Sequence, residues 1–222
     1  MLYFLDSCTR IMKRRILTTP TIYVVDDDLS VRESLSSLLR AEGMAVETFA
    51  SPIEFLALER LKDFSCAVLD VRMPGLDGLS LQDELARRGW EVPIIFITGH
   101  GDVPDAVRAM KAGAIDFLKK PFDDLALLQG ITSALSRVSR AFHRKLEAAE
   151  LRERYEQLTP REKEVLDMAI QGKANKVIAL ELGISESTIK VHRHNVMSKM
   201  HFRSLPELAL ALQRLKEADR AG

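Results

Sequence analysis

Six polar residues stand where apolar runs end, and their types suit phosphoryl chemistry. Asp26, Asp27 and Asp28 follow the run 21–25, and Asp70 follows 66–69. Thr98 closes 93–98, and Lys120 comes just after 114–118. Clustered carboxylates repel one another unless a cation neutralises them. A hard ion such as Mg²⁺ binds few carboxylates and keeps room for phosphate oxygens. A lysine and a threonine beside them supply donors to a phosphoryl group. A lone aspartate at a strand end is usually a helix cap, and Asp28 suits that role. The joint placement of Asp26, Asp27, Asp70, Thr98 and Lys120 does not reduce to capping.

For these side chains to meet, the runs must be parallel strands of one sheet. The segment 21–125 alternates short apolar strands (21–25, 44–48, 66–69, 93–98, 114–118) with amphipathic helices near 30–41, 52–60, 78–88 and 103–112. Ser51-Pro52-Ile53-Glu54 is a capping box with proline at the first helical position. Continuous apolar strands such as Pro93-Ile94-Ile95-Phe96-Ile97 imply burial on both faces. The alternation predicts a doubly wound, five-stranded parallel α/β domain, in which sites form beyond the carboxyl ends of the strands.

Val24-Val25-Asp26-Asp27-Asp28, Leu69-Asp70-Val71-Arg72-Met73-Pro74-Gly75, Thr98-Gly99-His100-Gly101 and Lys120-Pro121-Phe122 together resemble the signature of receiver domains, flavodoxin/CheY-like in fold. The resemblance implies that Asp70 accepts a phosphoryl group from the phosphohistidine of a sensor kinase. It implies Mg²⁺ held by Asp26, Asp27, Asp70 and the Arg72 backbone carbonyl, with Asp26 acting through water. Thr98 and Lys120 would hold the phosphoryl oxygens, the Lys120–Pro121 bond would be cis, and Phe117 would be a switch aromatic that turns inward as Thr98 moves. A core role for Phe117 is the alternative. Arg72 and His100 occupy positions that vary among receivers and are expected to set the lifetime of the phosphoryl bond. Gly75 and Gly78 read as loop flexibility.

Net charge over the 222 residues is zero, with an internal asymmetry. Residues 20–130 hold nineteen acidic against eleven basic side chains, and residues 159–222 hold eight against eleven. Two halves of opposite charge suggest two different partners. The two cysteines, Cys8 and Cys66, form no zinc pattern and fit a reducing cytoplasm. No apolar run approaches a membrane span. Residues 1–19 read as a disordered extension, with translation starting at Met1 or at Met12.

Leu128, Ile131, Leu135, Val138, Phe142, Leu146 and Ala149 recur every three or four residues, with no proline or glycine in 131–158. This predicts the last receiver helix continuing as a helical linker, either solvated or in contact with a partner. Thr159-Pro160-Arg161-Glu162 opens a helix that Gly172 stops. Helices follow near 175–182, 186–200 and 205–216, with Gly183 and Ser185 shaping the turn between the first two of these. Two helices across a short glycine-containing turn suggest a helix-turn-helix. The second would present Lys190, His192, Arg193, His194, Asn195 and Lys199, donors suited to grooves and phosphates.

Leu158-Thr159-Pro160-Arg161-Glu162, Asn175-Lys176-Val177-Ile178-Ala179 and the run from Ile184 to His192 resemble the LuxR-type helix-turn-helix. With the receiver, the architecture is similar to the NarL/FixJ family, and the stretch 98–122 looks FixJ-like. The resemblance implies base contacts from Lys190, Val191 and His194. Lys176, Ser187, Thr188, Arg193 and Lys199 would meet phosphate or sugar, and His192 would be structural or phosphate-facing. The expected divisions are an extension at 1–19, a receiver at 20–130, a helical linker at 131–157 and an all-α, four-helix DNA-binding domain at 158–222. The expected function is a cytoplasmic response regulator, not an enzyme, that is phosphorylated on Asp70, dimerises and binds promoter DNA. It would act on RNA polymerase as an activator. The rivals are a phosphohydrolase using Asp70 covalently, a C-terminal domain that binds protein or RNA, and phosphorylation that releases DNA.

Overall fold

The computed structural model describes residues 19–99 and 103–221. Residues 1–18 of the expected extension, with Cys8 and Met12, and His100 lie outside the described residues. Five strands, β1 (Thr21–Val25), β2 (Ala45–Phe49), β3 (Ser65–Asp70), β4 (Ile94–Thr98) and β5 (Asp116–Lys119), form one all-parallel sheet in the order β2-β1-β3-β4-β5. Helices α1 (Leu29–Ala41), α2 (Pro52–Leu56), α3 (Gly78–Arg87) and α4 (Val103–Lys111) connect them, and α5 (Asp124–Glu156) follows the last strand.

Side chains alternate across the pleat and build two cores. Ile22, Val24, Cys66, Val68, Ile95 and Ile97 meet Leu35 and Leu39 of α1 and Leu127, Ile131 and Ala134 of α5. Tyr23, Val25, Ala67, Leu69 and Phe96 meet Phe55 of α2, Leu79, Leu81 and Leu85 of α3, and Ala109 of α4. Both faces are covered, as the continuous apolar strands require. Helix α4 is also fixed to α3 by polar links. The buried Gln82 amide donates to the carbonyls of Ala109 and Ala112 at 3.4 and 3.2 Å, and Arg108 pairs with Asp83 at 2.6 Å.

Helix α2 is shorter than its periodicity suggests. Its start keeps half of the expected capping box: the Ser51 hydroxyl accepts from the Glu54 amide and Pro52 opens the first turn, while the Glu54 carboxylate accepts from the Ala50 amide at 2.7 Å instead of from Ser51. Beyond Leu58 the chain turns back, because the Tyr23 hydroxyl accepts the Lys62 amide at 3.0 Å and the Ser65 hydroxyl donates to the Lys62 carbonyl at 2.6 Å. Cys66 is fully buried, and that burial pushes its thiol up to about 12, so it is an inert core residue.

The described residues fall into two compact units, divided between Ala141 and Phe142. The segment 131–157 contributes apolar side chains to a core in each unit. Ile131 and Ala134 belong to the first, while Leu151 and Tyr155 pack with Leu158 in the second. The second unit adds α6 (Pro160–Ile170), α7 (Asn175–Leu182), α8 (Glu186–Met200) and α9 (Leu205–Ala221). Val165, Ala169, Ile178 and Ile189 join α6, α7 and α8, and Leu166, Val196, Met200, Leu208 and Leu212 tie in α9. No helix among the described residues is long and apolar enough to cross a membrane.

Candidate phosphoacceptor and DNA-contact sites

Strand register brings the acidic residues together. Val25 lies opposite Leu69 in the β1–β3 pair, so Asp26 and Asp70, each one residue further along, are neighbours at the carboxyl edge. Both are buried, at 1% and 5% exposure. Across the edge, the Lys120 ammonium donates to Asp26 Oδ2 at 2.6 Å and to Asp70 Oδ1 at 2.9 Å. The loop after β5 is set by the Lys120 amide, which donates to the Thr98 carbonyl at 2.7 Å, and by the cis Lys120–Pro121 bond. Thr98 is fully buried at the end of β4. Asp27 is exposed, and Asp28 caps α1 by accepting from the Ser30 amide.

Burial pushes the Asp70 carboxyl above its ordinary range, and the nearby Asp26 charge adds to that. The Lys120 contacts oppose the rise without cancelling it. Lys120 is raised as well: burial would lower it, but its hydrogen bonds to Asp26 and Asp70 prevail, so it stays charged at neutral pH. The second Asp70 oxygen accepts from the Arg72 amide at 2.7 Å.

The donor set fits a hard divalent cation. Two carboxylates already converge on one positive charge, and the exposed Asp27 adjoins them. Among the described residues no group of three or more His, Cys, Asp or Glu forms a complete metal cage. An ion that keeps water and phosphate oxygens in its shell does not need one. The receiver family typically uses Mg²⁺ for phosphorylation.

Other residues are placed in ways their spacing did not show. The Arg72 guanidinium pairs with Asp105 of α4 at 3.0 Å. Gly78 is a close-approach residue, a correction to the reading of loop flexibility. A Cβ there would sit 2.1 Å from the Asp70 carbonyl oxygen, while the Gly78 amide donates to the Val71 carbonyl at 3.0 Å. Gly75 has a φ of +82°, the left-handed region that favours glycine. Phe117 lies opposite Phe96 across β4–β5, half-buried, with ring centroids 6.2 Å apart.

In the second unit Gly183 ends α7 in the left-handed conformation, and the Ser185 hydroxyl caps α8 by accepting from the Thr188 amide. Ser187, Thr188, Lys190, Val191 and His194 all reach solvent, as does Lys176 on α7. The Lys190–Glu186 pair is long, at 3.8 Å, and exposed, so it restrains Lys190 little. Arg193 donates to Asn175 Oδ1 at 2.8 Å, bracing α8 against the start of α7. Ala174 caps α7 without a side-chain acceptor. Lys199, expected at phosphate, donates instead to the buried Glu162 at 2.6 Å. His192 is half-buried, and its Nδ1 has no hydrogen-bond partner among the described residues.

A parallel five-stranded sheet with an Asp–Asp–Lys cluster at its carboxyl edge, followed by a helix-turn-helix unit, defines a two-domain regulator. Residues 22–132 match the response regulator receiver domain, and residues 156–212 match the bacterial regulatory proteins of the luxR family. The response regulator TodT of Pseudomonas putida is 47% identical over 197 residues, covering 89% of this chain and 87% of TodT. The transcriptional regulatory protein FixJ of Azorhizobium caulinodans is 48% identical over 187 residues, covering 84% and 89%. Among solved structures, response regulator StyR is 48% identical with a TM-score of 0.75, covering 89% of this chain and all of StyR. Full-length FixJ from B. japonicum is 44% identical with a TM-score of 0.57, covering 90% and 99%. The chain belongs to the NarL/FixJ family of two-component response regulators, which are transcription regulators and not enzymes.

Proposed function

We propose that Asp70 accepts a phosphoryl group from a sensor kinase's phosphohistidine and that this modification drives dimerisation and promoter binding. The observation that carries this reading is the Lys120 ammonium held between two buried carboxylates at the sheet edge. An Asp70 carboxylate oxygen attacks phosphorus, an O–P bond forms, the P–N bond breaks, and its electrons stay on the imidazole nitrogen. Asp26, Asp27, Asp70 and the Arg72 carbonyl would hold Mg²⁺, which when bound neutralises charge on the transferring group. Lys120 and the Thr98 hydroxyl hold phosphoryl oxygens, and Phe117 follows Thr98 as the switch aromatic. Arg72, whose guanidinium pairs with Asp105, screens the phosphoryl bond from water and so sets its lifetime.

Lys190, Val191 and His194 face bases. Lys176, Ser187, Thr188 and Arg193 meet the backbone, where the uncapped start of α7 adds amide donors. Lys199 braces the unit from behind. Segments 20–130, 131–157 and 158–222 act as receiver, linker and DNA-binding domain. The protein works in the cytoplasm as a homodimer and contacts RNA polymerase as an activator.

The test is binding to duplex DNA selected from a random pool, with Mg²⁺ and acetyl phosphate. The donor is expected to tighten binding by wild type and to leave Asp70→Asn unchanged. Equal binding by both, with or without the donor, would refute the coupling.

Gly78 supplies a prediction of its own. The methyl group of Gly78→Ala must displace the Asp70 backbone or α3, because the atom it meets is a main-chain oxygen. Phosphoryl uptake followed by intact-mass spectrometry is expected to slow about tenfold, through misplacement of the reacting group. Gly75→Ala, with open space around its Cβ position, provides the comparison for backbone strain alone.

A further inference from the structure

We propose that Arg32 is a positioning residue for the metal: it holds the turn after β1 in the conformation that presents Asp26 and Asp27 to the cation. This rests on the Mg²⁺ reading above. The Asp26 amide still belongs to the sheet, donating to the Phe49 carbonyl at 3.2 Å. Its carbonyl does not. That oxygen accepts from an Arg32 guanidinium nitrogen at 2.7 Å, six residues along the chain.

The rest of the turn is held by side chains. Asp26 Oδ1 accepts from the Asp28 amide at 2.9 Å, and Asp28 Oδ1 accepts from the Ser30 amide at 2.8 Å. The Arg32 amide donates to the Asp28 carbonyl at 3.1 Å, so Arg32 grips the turn at both ends. Asp27 lies within this staple, exposed, and takes its direction from the backbone that Arg32 fixes. A guanidinium bond to a carbonyl is charge-assisted and stronger than a neutral one.

Arg32 also places a positive charge beside three consecutive carboxylates, and here two effects oppose each other. If Arg32 acted only as a charge, removing it would favour a divalent cation and tighten Mg²⁺ binding. If it acts by position, removing it frees the turn and weakens binding. Groups that orient metal ligands typically contribute ten- to a hundredfold in affinity, which is enough to outweigh one partly solvated charge.

The experiment is a calorimetric Mg²⁺ titration of the full chain without phosphodonor, for wild type, Arg32→Ala, Arg32→Lys and Asp27→Asn, with melting of each metal-free protein. Arg32→Ala is expected to bind about tenfold more weakly. Arg32→Lys keeps the charge but loses the planar fork, and is expected to bind about threefold more weakly. Equal or tighter Mg²⁺ binding by Arg32→Ala, or a lowered melting temperature with unchanged affinity, overturns the proposal. If Arg32→Ala does not fold, undiminished binding by Arg32→Lys overturns it in the same way. If wild type takes up no Mg²⁺, or Asp27→Asn takes it up undiminished, the ligand assignment itself fails and the proposal falls with it. Normal behaviour of those two with an unaffected Arg32→Ala refutes Arg32 alone.

Discussion

Lys120→Gln is expected to slow phosphoryl uptake from acetyl phosphate about 100-fold, the usual scale for losing a charged donor from a preorganised site. Two effects act in the same direction. Asp70 is buried and lies beside the Asp26 charge, and both push its carboxyl upward; the Lys120 bonds are what restrain it. Without them Asp70 holds its proton to higher pH, and a neutral carboxyl is a poor nucleophile. The second loss is the positive charge that meets the incoming phosphoryl oxygens. Two readouts separate these effects. Uptake is measured by intact mass against pH, and the Asp70 carboxyl is followed by carbon-13 resonance. The rate is expected to recover partly as pH rises, and the Asp70 titration to move upward. Uptake within a few-fold of wild type would remove Lys120 from the reaction. Lys120 also contributes to stability. Its proton affinity is raised in the fold, so that contribution is complete below its ordinary 10.5 and fades as pH rises through the higher folded value.

What could be read from the sequence depended on whether a residue's partner was near in the chain or shared its period. The unbroken apolar run Pro93-Ile94-Ile95-Phe96-Ile97 indicated a strand covered on both faces, and capping residues located the starts of α2, α6 and α8. The end of α2 was hidden, because its cause is a tyrosine hydroxyl on β1 reaching Lys62. The convergence of Asp26, Asp70 and Lys120 followed from parallel strands alone. The tightness of Gly78 against Asp70 did not, since glycine after a loop looks the same whether it is mobile or packed. Arg32 went unnoticed beside three aspartates because a main-chain carbonyl leaves no trace in the sequence. Lys199 shares a helix with Lys190 and Arg193, so its type suggested phosphate. Its partner lies thirty-seven residues away, on a glutamate that the capping box already explained.

That partner makes Lys199→Met the second large expected effect: a loss of about 2 kcal/mol from the C-terminal unit, with little change in how DNA binding responds to salt. Glu162 is almost fully buried, and its carboxylate accepts from the Thr159 amide at 2.8 Å and from Lys199 at 2.6 Å. Burial alone would raise Glu162; the Lys199 bond and then the Thr159 cap outweigh it, and the group is held below its ordinary 4.5. Removing Lys199 leaves a buried charge with only its cap bonds. Lys199 is 36% exposed, so solvent screens part of the pair, and the cost falls short of that for a fully enclosed one. Because Glu162 is depressed, the pair's contribution is complete above 4.5 and is lost as pH falls through the folded value. Wild-type and Lys199→Met stabilities, measured by hydrogen exchange across 159–200, are therefore expected to converge in acid. The double variant Glu162→Leu/Lys199→Met is expected to regain part of the loss, since it strands no charge. DNA binding then distinguishes bracing from contact. A lysine that neutralises one phosphate contributes about 0.9 to the salt slope, so Lys176→Ala is expected to lower the slope by about that amount and Lys199→Met to leave it unchanged. A lowered slope with undisturbed stability in Lys199→Met would return Lys199 to the DNA face and leave Glu162 to its cap alone.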